Sequence, residues 1–362
     1  MRFGVRTPLV WIGLAFGLWL SLGVFPAQAQ RAVEAGMPNP PGRPTEVKVG
    51  VFLADIIDVD ELNETFEVEL ILTAEWEDPR LAFDPAEEGT AEKLFQGAFQ
   101  FNEIYAAWWP QLLFVNQIGS GDTNAVKISI FPDGRVRYLD QRSVLLETPM
   151  ALRAFPFDHQ SLVAKIVSFG DYSNQVKLTV DERVSGASEE YAEVNDKVNI
   201  AQWELKSVEL EEGEADFRYY GGRENFSELT LTIGLKRKSG NLIWKVILPL
   251  VILVLLMWAV FWMDEDNLSD RLNVSFIGIL TIVAYQFLID GSMPRIDYFT
   301  FTDAVLLYSF LVMCLTIFES LVLYSLCKKG RKEFAEKIDV VFRWFFPVLY
   351  FTGVIASYFY YI

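Results

Sequence analysis

The polar residues that interrupt the apolar carboxyl-terminal half are the groups in this sequence best placed to do chemistry. An apolar run from Leu272 to Ile289 holds Asn273, Ser275, Thr281 and Gln286. It is preceded by Asp264, Glu265, Asp266 and Asp270, with only Arg271 opposing them. Polar groups inside a membrane face protein or water rather than lipid. Helical spacing sets Asn273, Ile277, Leu280, Ala284 and Phe287 on one stripe, polar at its first end and apolar above. Around a symmetry axis such a stripe makes rings. Carboxylates at the mouth attract cations, and apolar constrictions shut by dewetting. One chain supplies one such helix, so a pore needs several subunits in a closed ring. Two plainer readings share these residues: an internal bundle helix whose polar groups hold its neighbours, and a solvated acidic loop without a role.

Other chemistry finds little support. The chain contains a single histidine, His159, which argues against most metal-site and triad chemistry. The sequence has no G-x-S-x-G, no H-E-x-x-H and no Cys/His cluster, and Gly119-Ser120-Gly121 is a loop without a following phosphate-cradling helix. No enzyme activity, cofactor or metal is therefore expected. A formal net charge of -17 also excludes nucleic acid as a partner, which would need a basic footprint.

The elements that must position the stripe read in two halves. Residues 1-29 have the form of a signal peptide: Arg2 and Arg6, an apolar run from Leu9 to Phe25, then Ala27-Gln28-Ala29. A first membrane anchor is the alternative. Residues 30-44, rich in proline, make a flexible leader. From 45 to 238 the pattern has period two, clearest from Thr65 to Trp76 and again at Leu229, Leu231, Ile233 and Leu235. Pro132-Asp133-Gly134 makes a hairpin turn. Short strands with turn punctuation predict an all-β sandwich. Residues 239-362 then hold apolar runs at about 242-263, 272-289, 304-327 and 340-362, each near the ~20 residues that span a bilayer. An exported amino terminus puts the carboxyl terminus outside as well. Lys328, Lys329, Arg331, Lys332 and Lys337 then lie inside, as the positive-inside rule prefers. Cys314 and Cys327 both lie in the third run and read as small membrane-buried residues, so the β domain has no disulfide.

Arg153 to Gln160, with Phe155-Pro156-Phe157-Asp158 inside it, resembles the signature loop of the pentameric ligand-gated ion channels, the Cys-loop receptor superfamily. Thr148 and Leu162 stand where animal receptors carry the bracketing cysteines, so the resemblance is to the prokaryotic members. Trp76-Glu77-Asp78-Pro79-Arg80-Leu81 is similar to the family's W-x-D-x-R-L run, and Trp108-Trp109-Pro110 with Asn116 to its W-x-P segment. Arg237 before the first span, Pro249 within it, Pro294-Arg295 after the second and the short link after the third match as well.

The resemblance implies a homopentamer around a central pore, with a β-sandwich outside, a four-helix transmembrane bundle and agonist sites between subunits. The pore rings would be Asp270, Asn273, Ile277, Leu280, Ala284 and Phe287, with Asp270 where cation-selective relatives keep an acidic ring and Leu280 at the middle gate. Coupling would run through Asp58, Asp60, Glu61, Asp158 and Arg237 to Pro294 and Arg295. Phe169, or Tyr172 under a gapped alignment, and Tyr219 and Tyr220 would belong to an aromatic box for an amine-like agonist, with Val115 leaving that box incomplete. Protons are the other stimulus: Glu64 matches an acidic position linked to proton sensing in a relative, and His159 is the chain's one histidine, the residue type suited to switching charge near neutrality. The expected partners are four further copies of the chain, permeating monovalent cations, an agonist or protons, and the bilayer of a bacterial inner membrane. A non-conducting, membrane-anchored sensor is the competing reading.

Overall fold

The alternation read from Thr65 becomes strand β2 (Thr65–Glu77), whose side chains Phe66, Val68, Leu70, Leu72, Ala74 and Trp76 are all buried. In this computed structural model the described residues are 36–38, 43–97, 105, 107–185, 202–215, 225–264, 267–291 and 296–362. The expected signal peptide, Tyr219, Tyr220, Pro294 and Arg295 fall outside them.

The first strand, β1 (Thr45–Asp60), pairs antiparallel with β2. The later strands are β3 (Lys93–Gln96), β4 (Leu112–Phe114), β5 (Asp122–Ile130), β6 (Arg135–Glu147), β7 (His159–Ser168), β8 (Val176–Val180), β9 (Trp203–Ala215) and β10 (Phe226–Arg237). One sheet runs β3-β5-β6-β2-β1-β8, and the other β4-β7-β10-β9. Leu162, Ala164 and Ile166 of β7 and Leu229, Leu231, Ile233 and Leu235 of β10 join the β2 side chains in one core, the sandwich that period two requires. Asn116 pins the sheets together. Its amide donates to the carbonyls of Glu147 on β6 and Val163 on β7, both at 2.7 Å, and its oxygen accepts from the Lys165 amide at 3.1 Å. Thr148 and Leu162 are both buried.

The Trp76 to Leu81 segment owes its residues to local geometry. Asp78 caps a short turn, accepting from the Arg80 amide at 3.1 Å, and takes the Arg80 guanidinium at 2.8 and 2.7 Å. Gly134, at φ 85°, closes the β5–β6 hairpin against it, and a Cβ there would come within 2.7 Å of the Asp78 carbonyl oxygen.

Four described helices are long and apolar enough to cross a membrane. They are α1 (Gly240–Trp262), α2 (Leu268–Asp290), α3 (Phe301–Lys328) and α4 (Lys332–Tyr361). All four begin before the expected apolar runs, α1 by two residues and the other three because their first turns are polar, with side-chain caps at the starts of α2 and α3. Asn267 accepts from the Asp270 amide at 3.4 Å at the start of α2. Thr300 and Asp303 form a reciprocal capping box at the start of α3. In α4 the turn holding Lys332, Glu333, Glu336 and Lys337 is already helical. Within α1, residues Ile243–Ile247 form a wide π turn just before Pro249. Proline has no N–H for the carbonyl four residues back, so the helix relaxes there.

Candidate functional site

Helix α2 has two unlike faces. Arg271, Ser275, Gly278, Ile282 and Ile289 are buried against the rest of the chain, and the Ser275 hydroxyl lies 3.4 Å from that of Thr316 on α3. Asp270, Asn273, Ile277, Leu280, Ala284 and Phe287 are all exposed, Leu280 by 69% and Phe287 by 73%. The stripe read from helical spacing therefore stays uncovered by the other three helices. The Asn267 amide donates to the Asp270 carboxylate, which sits in the first turn of α2, where the helix dipole favours an anion. Arg271 does not oppose the acidic loop as the sequence suggested. It is fully buried and paired with Asp339 at 2.6 Å. Glu265 and Asp266 of that loop lie outside the described residues.

The last residue of β10, Arg237, stands where the β domain meets the helices. Its Nε and Nη2 donate to the two oxygens of Asp158 at 2.7 and 3.1 Å, and its Nη1 donates to Glu61 at 2.7 Å. The guanidinium lies 4.1 Å from the Trp203 ring centre and 5.0 Å from that of Phe155. Arg237 and Asp158 are 4% and 1% exposed, so this is a desolvated pair rather than a surface bridge. Removing one partner of such a pair costs about 3–5 kcal/mol. Burial by itself lowers the Arg237 pKa, but the hydrogen bonds and charges of Asp158 and then Glu61 outweigh it and hold the group above the ordinary arginine value.

Among the described residues, the expected coupling residues Asp58 and Asp60 make no bond to Arg237. Asp60 fixes its own turn, accepting from the Leu62 and Asn63 amides at 2.9 and 3.0 Å and from the Asn63 side chain at 2.7 Å. Those bonds, the Asn63 side chain foremost, hold its pKa below the usual carboxylate range. Asp58 is exposed on β1 opposite Glu67, outside the Arg237 triad. Glu64, with φ 54°, occupies the left-handed region and ties the β1–β2 turn to the signature segment. Its carboxylate accepts from the Met150 amide at 3.2 Å and its carbonyl from the Thr148 amide at 2.9 Å. His159 is exposed at the start of β7, opposite Lys236.

The signature loop sits directly on the helices. The Phe301 amide donates to the Arg153 carbonyl at 2.9 Å, and the Thr302 hydroxyl to the Phe155 carbonyl at 2.9 Å. The Tyr298 hydroxyl accepts from the Leu152 amide at 3.2 Å and donates to the Met150 carbonyl at 3.3 Å. Phe157 meets the rings of Phe301 and Tyr358, each at 5.7 Å. Tyr298, Thr302 and Tyr358 were not anticipated. Their only sequence signal is an aromatic or hydroxyl side chain near a helix end, which is too common to single out.

The aromatic box is not assembled within the described residues. Phe169 is 47% exposed after β7. Tyr172 instead packs on Phe226, ring centres 5.3 Å apart. Between them Asp171 is half-buried, and burial raises its pKa against a 3.3 Å hydrogen bond from Ser168.

Residues 34–239 match the family model described as the neurotransmitter-gated ion-channel ligand binding domain. The chain belongs to the pentameric ligand-gated ion channels. It is similar to the proton-gated ion channel of Gloeobacter violaceus, 29% identical over 315 residues that make up 86% of this chain and 83% of that one. It is also similar to the glycine receptor subunit beta of Rattus norvegicus and of Homo sapiens, each 24% identical over 307 residues, or 84% of this chain. The matched region spans 60% and 59% of those two subunits. As a member of this family, of the prokaryotic kind, the chain is a multi-pass membrane protein whose β-sandwich precedes four described apolar helices.

Proposed function

We propose that five copies of this chain close a ring around the exposed stripe of α2 and form a channel preferring monovalent cations, opened by acid acting on the β domain. One observation carries the reading: the face from Asp270 to Phe287 is left uncovered by every other described helix. A stripe with a carboxylate and an amide at its foot is poorly suited to lipid. Identical faces around an axis give it water at the centre. Asp270 would form the ring that concentrates cations, Asn273 the next ring, and Ile277, Leu280, Ala284 and Phe287 the dewetting barrier.

Acid is favoured as the stimulus by the Gloeobacter relative, a proton-gated channel over most of both chains. Glu64 and His159 are the groups proposed to sense it. The Glu64 carboxylate holds the Met150 amide at the start of the signature segment, so its protonation would weaken that link. Movement would pass through Glu61, Asp158 and Arg237 to the signature loop on α3, with Pro294 and Arg295 carrying it to α2. A small amine-like ligand at Phe169 is the second reading, favoured by the exposure of that ring. The β domain and carboxyl terminus would face the periplasm of a bacterial inner membrane, with the lysines and arginines between α3 and α4 on the cytoplasmic side.

The test is the reversal potential of the reconstituted channel in a sodium chloride gradient, for the native chain and for Asp270→Lys. The native current should reverse near the sodium potential, and the variant should move towards chloride. Identical reversal potentials would remove Asp270 from the ion path.

A further inference from the structure

Two neighbouring residues at the foot of α2 carry opposite charges in opposite surroundings. Asp270 is exposed on the stripe, while Arg271 has no exposed surface. Successive residues of an α-helix point about 100° apart, so whatever holds Arg271 inward also decides where Asp270 points.

Arg271 meets each of the other three long apolar helices described. Its Nε donates to the Val260 carbonyl of α1 at 3.2 Å. Its Nη2 donates to Asp339 Oδ1 of α4 at 2.6 Å and lies 3.6 Å from Glu319 Oε1 of α3. The second Asp339 oxygen accepts from Arg343 at 3.1 Å, and Arg343 also donates to the Phe261 carbonyl of α1 at 2.8 Å. Asp339 and Glu319 are 1% and 5% exposed. Apolar side chains of similar size would pack this region without the desolvation cost of charges. They would not fix a direction, whereas a planar guanidinium shared between fixed carboxylates and a carbonyl does.

We propose that Arg271, held by Asp339 and the Val260 carbonyl with Glu319 beside it, is the positioning residue for the Asp270 ring: the buried knot sets the rotation of α2 so that the carboxylate faces the ion path, and so sets charge selectivity. The proposal rests on the reading that α2 lines that path. It makes residues of α3 and α4, remote from the stripe, determinants of which ion passes.

The experiment uses the full-length chain in planar bilayers under a sodium chloride gradient. Asp339→Asn should lower the sodium-over-chloride permeability ratio severalfold, and Asp339→Glu, which keeps the charge, should largely retain it. A knot that only holds the fold would change the number of active channels or their melting temperature. An unchanged ratio in conducting Asp339→Asn channels overturns the proposal. A second readout covers variants that insert but do not conduct. In a Cys314→Ser, Cys327→Ser chain, Asp270→Cys should react with a cationic thiol reagent more slowly once Asp339→Asn is added, and equal rates would again overturn it. Glu319→Gln, which leaves the Asp339 contact intact, serves both readouts if Asp339→Asn fails to insert. Asp270→Asn in the native chain tests the underlying reading separately. If it leaves the ratio unchanged, the stripe is not the selectivity element, while the modification rates still judge the knot.

Discussion

Arg237 reaches Asp158 through two nitrogens, at 2.7 and 3.1 Å, and so joins the last residue of the β domain to the signature loop lying on α3. Its remaining terminal nitrogen holds Glu61 at 2.7 Å. Asp158→Asn leaves this buried guanidinium with a neutral partner. The expected results are loss of evoked current and a lower melting temperature, the cost approaching the about 3–5 kcal/mol of a broken buried pair. Glu61→Gln keeps the fork and removes only the more exposed partner, so it should shift the stimulus needed for opening while leaving the melting temperature nearly unchanged. Current recordings and thermal melts of both variants check this.

Leu280 lies at the middle of the exposed stripe. If it bars ions by dewetting, Leu280→Ser wets the constriction. Current without a stimulus is then expected, and a variant as silent at rest as the native chain would move the barrier elsewhere, Ile277 and Phe287 first.

Two aspartates contribute to the pH dependence of stability with opposite signs. Burial lifts Asp171 above its ordinary value of 3.8. The folded state therefore keeps that proton longer than the unfolded chain, and stability from this group falls as pH rises from 3.8 through the raised value. Hydrogen bonds hold Asp60 below 3.8, so its contribution is present above 3.8 and is lost as pH falls through the lowered value. Asp171→Asn should stabilise the protein at neutral pH and lose that advantage in acid. Melting temperatures measured from about pH 7 to pH 3 decide it, those limits bracketing the ordinary carboxylate range.

Gly353 on α4 faces the Tyr308 ring of α3 so closely that a Cβ would sit 2.2 Å from its Cζ. The Tyr308 hydroxyl meanwhile donates to the Leu349 carbonyl at 2.7 Å. Gly353→Ala should cost about 1–3 kcal/mol by overpacking. The smaller Tyr308→Leu in the same chain should restore part of it, and equal melting temperatures for Gly353→Ala and the native chain would refute the close contact.

What the sequence disclosed followed from periodicity. The two-residue alternation of β2 and the stripe from Asn273 to Phe287 are local patterns, and each maps onto one face of its element. The Arg237–Asp158 pair was reached only through the family motif, because 79 residues separate its members. Arg271 was misread for the same reason. Its neighbours in sequence are acidic, but its partner Asp339 lies 68 residues away. Asp60 was expected at the boundary, yet a carboxylate two and three residues before free amides is captured by its own turn. Helix starts came late because hydropathy registers apolar residues and is blind to capped polar turns such as Asn267 to Arg271.

The proposed function is a cation channel opened by acid acting on the β domain. The most direct test records current from the purified, reconstituted chain under a sodium chloride gradient while the pH on the β-domain side is stepped downwards. The current should rise on acidification and reverse near the sodium potential. Silence at every pH from protein shown to be folded, inserted and pentameric would contradict acid gating, and if small amines also evoked nothing it would favour a membrane-anchored sensor that does not conduct.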